Sequence, residues 1–187
     1  MIRTVWAPLA CAMALLSGCS SPPASPKVNQ LHQEVSQLNQ QMRHLTTQAS
    51  AIEIQGQLNS NSTQGAWLVP QANTPVELQT QLGKLRLSLT RVAAEANGAR
   101  ANLTISATGS QPVPALRAQV VWGERDPATG KPLEATSLSQ EIAVPATLLP
   151  RASATVPLRL SGFAPGQLGF VRVHDVVGEP PAAPAAQ

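Results

Sequence analysis

The sequence predicts a mainly β protein in which one amphipathic helix precedes a single antiparallel β-sandwich. Three observations lead to this prediction. Apolar residues recur at alternating spacings of three and four over residues 28–52, which is a helical period. From residue 65 onward they alternate with polar residues in short runs, which is the period of a half-buried strand. No segment between those runs has the pattern of a crossover helix, so we expect the strands to pair antiparallel.

The N-terminal residues 1–18 have the features of a secretory signal. Arg3 supplies a positive charge, and the apolar stretch 5–16 that follows is too short to span a bilayer. The stretch ends in Leu16-Ser17-Gly18-Cys19, which resembles the lipobox of bacterial lipoproteins. That resemblance implies cleavage after Gly18 and attachment of lipid to Cys19. The alternative is an ordinary secretory signal that contains a cysteine by chance.

A lipidated Cys19 would fix the location of the protein. Each buried methylene of an acyl chain contributes about 0.8 kcal/mol, and several chains together give a stable anchor. In lipoproteins of Gram-negative type, an Asp after the lipidated cysteine is the usual signal for retention in the inner membrane, whereas this chain has Ser20. The resemblance therefore implies an outer-membrane lipoprotein that faces the periplasm and contacts the membrane through its covalent lipid.

The composition of the processed chain argues against several classes of function. Loss of Arg3 with the signal leaves twelve Lys and Arg against ten Asp and Glu, a net charge of +2, and the basic residues are scattered. Nucleic-acid binders need clustered basic residues and, for single strands, stacking aromatic rings. Few aromatic residues remain to stack on bases or sugars: Trp67, Trp122, Phe163 and Phe170. We therefore expect no nucleic-acid partner.

A Pro- and Ser-containing linker at residues 19–27 is predicted to tether the helix to the membrane. The helix itself is predicted for residues 28–58. Its apolar side follows an a/d heptad pattern: Val28, Leu31, Val35, Leu38, Met42, Leu45, Ala49 and Ile52. We call these residues the heptad stripe. Two interpretations remain open, because the stripe could form a coiled coil between copies of the chain or could dock on the chain's own β domain.

The β-sandwich is predicted for residues 65–178, and the Pro- and Ala-rich tail 179–187 is expected to be disordered. About seven strands are expected, with turn signals at the spacing typical of immunoglobulin-like or fibronectin-like sandwiches. Pro157 lies inside one of these runs and has no N–H to donate, so its strand should lie at a sheet edge or contain a bulge. The predicted strands are residues 66–69, 85–90, 102–106, 116–122, 139–144, 155–160 and 168–174.

Three stretches of the β domain resemble one known family. They are L-V-P-Q-A-N-T-P at residues 68–75, V-W-G at residues 121–123 and L-G-F-V-R-V-H-D at residues 168–175. These stretches, together with the order of lipobox, heptad helix and β domain, resemble the enterobacterial YajI-type lipoproteins. The family has no established function, so the resemblance implies the anchor and the fold and adds no activity.

The sequence contains none of the common catalytic signatures, such as G-x-S-x-G, H-E-x-x-H or a phosphate-binding glycine loop. His32 and His44 lie on the polar side of the helix, too far apart to share a metal. Because adjacent strand residues point to opposite faces, we expect His174 and Asp175 not to form a catalytic pair. Cys19 is committed to lipid. We predict no catalytic residue, no cofactor and no metal site.

Alternation along the last predicted strand places Val171 and Val173 toward the core and Phe170, Arg172 and His174 on the opposite face. We expect the two valines to tie this strand into the sheet. Arg172 would then be available to pair with an acid on a neighbouring strand.

These observations favour a non-enzymatic lipoprotein whose β domain binds an envelope protein or a peptidoglycan-associated partner, while the helix spaces or oligomerises it. One alternative is an envelope hydrolase acting through carboxylates such as Glu124, Asp126 and Asp175, which would need a concave pocket. Another is a purely structural stalk without a specific ligand.

Overall fold

The computed structural model describes residues 26–60, 62 and 64–179. The predicted signal, the lipobox with Gly18 and Cys19, and nearly all of the Pro- and Ala-rich tail lie outside these ranges. Among the described residues, no helix combines the length and the hydropathy needed to cross a bilayer.

In the described part of the chain, one α-helix is followed by eight strands, which confirms the predicted order of a helix and then a mainly β domain. Helix α1 spans Pro26–Ser60, and two short 3₁₀ helices lie at Pro70–Ala72 and Glu134–Thr136. The strands are β1 Ala66–Leu68, β2 Val76–Thr80, β3 Gly83–Glu95, β4 Gly98–Ala107, β5 Leu116–Gly123, β6 Leu138–Val144, β7 Ser153–Ser161 and β8 Phe170–Gly178.

The strands form two four-stranded antiparallel sheets, in the orders β1-β8-β5-β6 and β2-β3-β4-β7. This arrangement confirms the predicted antiparallel sandwich. Strand β7 pairs with β4 at the edge of its sheet, so Pro157 lies in an edge strand, where proline is tolerated. Val171 and Val173 of β8 belong to the core between the sheets, and each is at most 1% exposed.

Strand β2 was not among the strands predicted from the sequence. It pairs with β3 at a sheet edge, with Val76 opposite Leu87 and Leu78 opposite Leu85. Of its two apolar residues, Leu78 is buried and Val76 is only partly buried. Two alternating apolar residues after Pro75 are a weak signal, and the pairing with β3 is what stabilises this strand.

Contacts divide the chain into two compact units, Met1–Gln41 and Met42–Gln187. The last part of α1, about five turns from Met42 onward, therefore belongs to the same unit as the sandwich. We call this part the C-terminal segment of α1.

The C-terminal segment of α1 docks on the sandwich through a small apolar cluster and a set of amide hydrogen bonds. Ala51, Val69 and Ala72 form the buried cluster, and Ile54 and Leu58 pack against it. Such a small contact buries little apolar surface, so the hydrogen bonds beside it must specify much of the docking geometry.

Two side-chain amides of α1 satisfy backbone groups of β1 and of the segment that follows it. Asn59 accepts a hydrogen bond from the N–H of Trp67 at 2.9 Å and donates one to the carbonyl of Trp67 at 2.7 Å. Gln55 accepts from the N–H of Val69 at 2.8 Å and donates to the carbonyl and the hydroxyl of Thr74. The helix thereby supplies the hydrogen bonds that a further strand would otherwise make.

The heptad stripe does not take part in this docking. Its large residues within the sandwich unit remain exposed, with Met42 at 59%, Leu45 at 62% and Ile52 at 42%. In the preceding turns, Val28, Leu31, Val35 and Leu38 are exposed by 43 to 59%. The helix does dock on its own domain, but it uses a face other than the stripe.

Candidate ligand-binding groove

A groove lies between the C-terminal segment of α1, the loop 124–137 that joins β5 to β6, and the outer face of β1 and β8. Its first cavity has a volume of about 480 Å³. A second cavity of about 450 Å³ shares Ile54, Thr129 and Gly130 with the first. A third, of about 380 Å³, shares Ile54, Gln71 and Arg125 with the second. These volumes are in the range of small-ligand sites.

The floor of the first cavity is built by a cross-strand pair. Trp67 of β1 lies directly opposite Arg172 of β8, and the guanidinium carbon of Arg172 is 4.8 Å from the Trp67 ring centroid. Phe170 packs on the same indole, with ring centroids 5.2 Å apart. The indole of Trp67 therefore holds the Arg172 guanidinium by a cation–π contact, and Arg172 and Phe170 together cover the indole.

Arg172 has few hydrogen-bond partners. One of its terminal nitrogens, Nη2, donates to the carbonyl of Gln64 at 2.9 Å, whereas its buried Nε has no partner among the described residues. The expectation that Arg172 pairs with an acid across the sheet is wrong, because Val121 is its neighbour on β5 and Trp67 is its neighbour on β1.

The second and third cavities contain another guanidinium, that of Arg125. Its Nε donates to the carbonyl of Gly169 at 2.7 Å. Burial lowers the pKa of Arg125 from its ordinary value, because the charged form loses hydration. Gly169 lies so close to Arg125 that a Cβ there would collide with the Arg125 backbone nitrogen. This close approach holds the loop against the chain immediately before β8.

The loop 124–137 is shaped by its own hydrogen bonds. Asp126 accepts from the N–H groups of Ala128 and Thr129 at 2.8 and 3.1 Å, which is an Asx-type turn. Gly130 has a φ of 70°, in the left-handed region that favours glycine, and its Cα faces the side chain of Ile54. This turn places Lys131 along the first cavity.

The groove has two guanidinium groups without a carboxylate partner. All ten Asp and Glu residues of the sequence lie in the described ranges. The ion pairs they form there join Lys84 to Glu77 and Arg117 to Glu141 and Glu179, and Asp175 contacts His174, so none reaches Arg125 or Arg172. Glu134, which also lines the first cavity, is exposed.

The premise that His174 and Asp175 point to opposite faces does not hold, because the strand bends at this point. Their side chains are 2.9 Å apart, between Nδ1 and Oδ2. Asp175 has a φ of 50°, and the pairing of β8 with β5 shifts between Arg117 and Gln119, so a local irregularity brings both side chains to one side. No hydroxyl or thiol among the described residues hydrogen-bonds to His174, so the pair lacks an attacking group.

The other residues considered from the sequence do not converge on a reaction centre. Asp126 serves its own turn, and His32 and His44 are exposed on α1. Within the ranges that the structure describes, no group of three or more His, Cys, Asp or Glu side chains could hold a metal ion. Sequence reasoning missed Arg125 and Gln71. Gln71 lies in the stretch 68–75 that carries the family resemblance, but neither residue belongs to a functional motif, and they line the same cavities only in the folded chain.

The comparison with known proteins identifies the family. Residues 24–186 match a family described as "Protein of unknown function (DUF3251)". The chain belongs to the DUF3251 family. It is 36% identical over 150 residues to the uncharacterized lipoprotein YajI of Escherichia coli K12, which covers 80% of this chain and 84% of that protein. The resemblance expected from the sequence is therefore confirmed.

Solved structures agree with the fold of this DUF3251 chain. The solution NMR structure of the E. coli lipoprotein yajI matches with a TM-score of 0.65 and 34% identity, over 71% of this chain and 79% of that one. A second match is the structure titled "Salmonella enterica trimeric lipoprotein SadB", with a TM-score of 0.54 and 20% identity over 82% of each chain. At that identity the likeness shows the fold alone.

Proposed function

We propose that this DUF3251 chain is a lipid-anchored envelope lipoprotein with a binding or structural role, without enzymatic activity, which associates with further copies of itself through α1. The observation that carries the proposal is the exposed heptad stripe. Lipoprotein relatives support the anchor, and we assign it to Cys19 after cleavage behind Gly18. We further propose that the protein resides in the outer membrane and faces the periplasm.

The stripe has the properties of an interface between helices. Its seven largest side chains, from Val28 to Ile52, are each 42 to 62% exposed, while the helix docks on the sandwich through a different face. Isolated exposed apolar residues are common on protein surfaces, but a continuous row at heptad spacing is the pattern that buries itself against a like row. A second copy of the same helix supplies that row.

The membrane anchor favours a parallel arrangement. Lipid at the N-terminal end of every copy would place all helices on one membrane surface, running in the same direction. Val at two a positions with Leu at d favours two strands, whereas Met42 and Ala49 at the other a positions weaken that preference. The structurally similar SadB is described as a trimeric lipoprotein, so two and three copies are the states to distinguish.

Sedimentation of the chain from Ser20 onward, which keeps every described residue, tests the association. We expect the unchanged chain to sediment as a dimer or trimer and Leu38→Asp to sediment as a monomer, because a carboxylate in an apolar seam loses its hydration. Gln40→Asp is the matched control, because it adds the same charge to an exposed position outside the stripe and should leave the mass unchanged. A monomeric unchanged chain at all concentrations would refute self-association.

The sandwich is the part that we propose to meet an envelope protein or a peptidoglycan-associated partner. The groove beside α1 supports a binding role, because it is concave, mixed in polarity and positively charged. If α1 acted only as a spacer, the groove would have no occupant. Capture of a stoichiometric envelope component by the anchored protein, reduced by substitutions in the groove, would support binding.

A further inference from the structure

We infer that the groove beside α1 binds a short peptide with free carboxylates, which pair with the guanidinium groups of Arg172 and Arg125. This inference deepens the proposed binding role by naming the chemical class of the ligand. It rests on the charges in the groove, on an unpaired acceptor there, and on the shape of the two larger cavities.

The charge argument concerns two arginines that are partly buried without a counter-ion. A cation removed from water loses hydration unless an anion or hydrogen-bond acceptors replace it. Arg172 has a cation–π contact and one carbonyl, and Arg125 has one carbonyl. Neither forms an ion pair with any of the ten carboxylate side chains, all of which are described. A bound anion would supply the counter-ion that both guanidinium groups lack.

A carboxylate suits these groups better than a phosphate does. The guanidinium fork forms two parallel hydrogen bonds with a carboxylate or with a phosphate, so the choice between them depends on charge. Within the groove, Asp126 and Glu134 reduce the net positive charge, so a phosphate, which concentrates two charges on one group, would meet more repulsion than two separate carboxylates, one at each arginine. Asp126 is fixed by its own turn and cannot turn away.

An unpaired acceptor points to a peptide rather than to a simple organic acid. The side-chain oxygen of Gln71 is buried, lines the second and third cavities, and has no hydrogen-bond partner among the described residues. The Gln71 side chain is only partly buried, so a small rotation into the cavity that it lines would bring this oxygen to a peptide N–H, while the neighbouring guanidinium of Arg125 pairs with a carboxylate. A ligand with both an N–H donor and a carboxylate satisfies the two groups together.

The shape of the groove suits a short extended chain. The two larger cavities meet at Ile54, Thr129 and Gly130, with Arg172 in one and Arg125 in the other. Ile54 and Leu58 offer apolar surface to small side chains. A sugar ring would need an exposed aromatic face, but Trp67 is covered by Phe170 and Arg172 and is only 7% exposed.

The test is a titration of the chain from Ser20 onward with an N-acetylated Ala-Glu-Ala tripeptide that has a free C-terminus. The matched probe has Gln in place of Glu and an amidated end, so it lacks both charges. We expect the acidic probe alone to shift the NMR signals of the Nε–H groups of Arg125 and Arg172 and of the Trp67 indole N–H. Each substitution, Arg172→Gln or Arg125→Gln, should weaken binding about tenfold or more, because it removes a charge-assisted pair.

Three controls make the outcome decisive. Arg159→Gln removes an exposed arginine on the other sheet and should leave the affinity unchanged. Arg172→Lys keeps the charge without the fork, so its affinity should lie between those of the unchanged chain and Arg172→Gln; it also serves if Arg172→Gln fails to fold. Leu38→Asp should bind the acidic probe normally, so failure of self-association and failure of the groove are separable.

Several results would overturn the inference. Equal binding of the neutral probe would show that charge is not recognised. Absence of saturable shifts up to about 10 mM of the acidic probe would show that the groove does not take such a peptide at all. Displacement of the acidic probe by inorganic phosphate at lower concentration would assign the arginines to a phosphate ligand instead.

Discussion

Replacement of Gln55 by Leu should weaken the attachment of α1 to the sandwich. Gln55 is 5% exposed, and its amide joins the helix to two points of the sandwich unit, the N–H of Val69 and the backbone and hydroxyl of Thr74. Leu has a similar size but cannot bond to either. The buried Val69 N–H would lose its partner, which costs about 1 to 3 kcal/mol, and each bond lost at Thr74 adds about 0.5 to 1.5 kcal/mol.

The lost bonds together cost about 2 to 6 kcal/mol, and the apolar surface that Leu buries offsets part of this, so we expect a net loss of about 2 to 4 kcal/mol. For a unit of this size, each kcal/mol of lost stability lowers the melting temperature by about 2 to 4 °C, so Gln55→Leu should melt roughly 4 to 16 °C lower. Differential scanning calorimetry measures the melt, and hydrogen exchange of the Val69 N–H reports the local change, since that amide should exchange faster.

Gln40→Leu provides the control for Gln55→Leu, because it makes the same chemical change on the same helix at an exposed position. It should change the melting temperature by no more than about 2 °C, as surface substitutions usually do. If Gln55→Leu melted within that margin, or if Val69 kept its protection, the amide bonds would not hold the helix in place.

Other substitutions test separate parts of the molecule. Cys19→Ala should abolish fatty-acid labelling and membrane fractionation, and continued labelling would refute Cys19 as the lipid site. Val173→Ala should cost about 2 kcal/mol in urea denaturation, because Val173 is 1% exposed in the core. His174→Ala should cost less than about 1 kcal/mol, because its carboxylate partner is 69% exposed; a larger loss would mean the pair is structural. Gly169→Ala should lower stability by about 2 kcal/mol or more, because the new Cβ meets the Arg125 backbone, and an unchanged melt would show that this approach can relax.

The parts of the fold that were predictable are those encoded by local periodicity. The spacing of Val28, Leu31 and Val35 defines a helix without reference to any other segment, and alternation in β3, β4 and β8 defines which residues face the core. Antiparallel pairing then followed from the absence of crossover helices. Strand β2 was missed because it has few apolar residues and depends on its pairing with β3.

The groove was not predictable because its residues are distant in sequence and form no motif with a known binding function, although Gln71 and Arg172 lie in stretches that carry the family resemblance. Arg125 follows β5, whereas Arg172 lies on β8, and only the sheet order makes those strands neighbours. The contact between His174 and Asp175 depends on one positive φ at Asp175, a conformation that Asp tolerates but that its presence does not dictate. The docked face of α1 was missed because its most buried residues are Ala51 and the amide Gln55, and because Ile54 and Leu58 lie outside the heptad spacing.

The amides of Gln55 and Asn59 have a consequence for solubility. They cover the edge of the sheet at β1, where the backbone groups of Trp67 and Val69 would otherwise be free to hydrogen-bond to any extended chain. A helix that covers such an edge prevents uncontrolled strand pairing between molecules. Proteolysis within the last turns of α1 would therefore do more than release the domain from its anchor. It would expose a template for intermolecular β-pairing, and fragments that begin near Gly65 should aggregate where the intact chain stays dispersed.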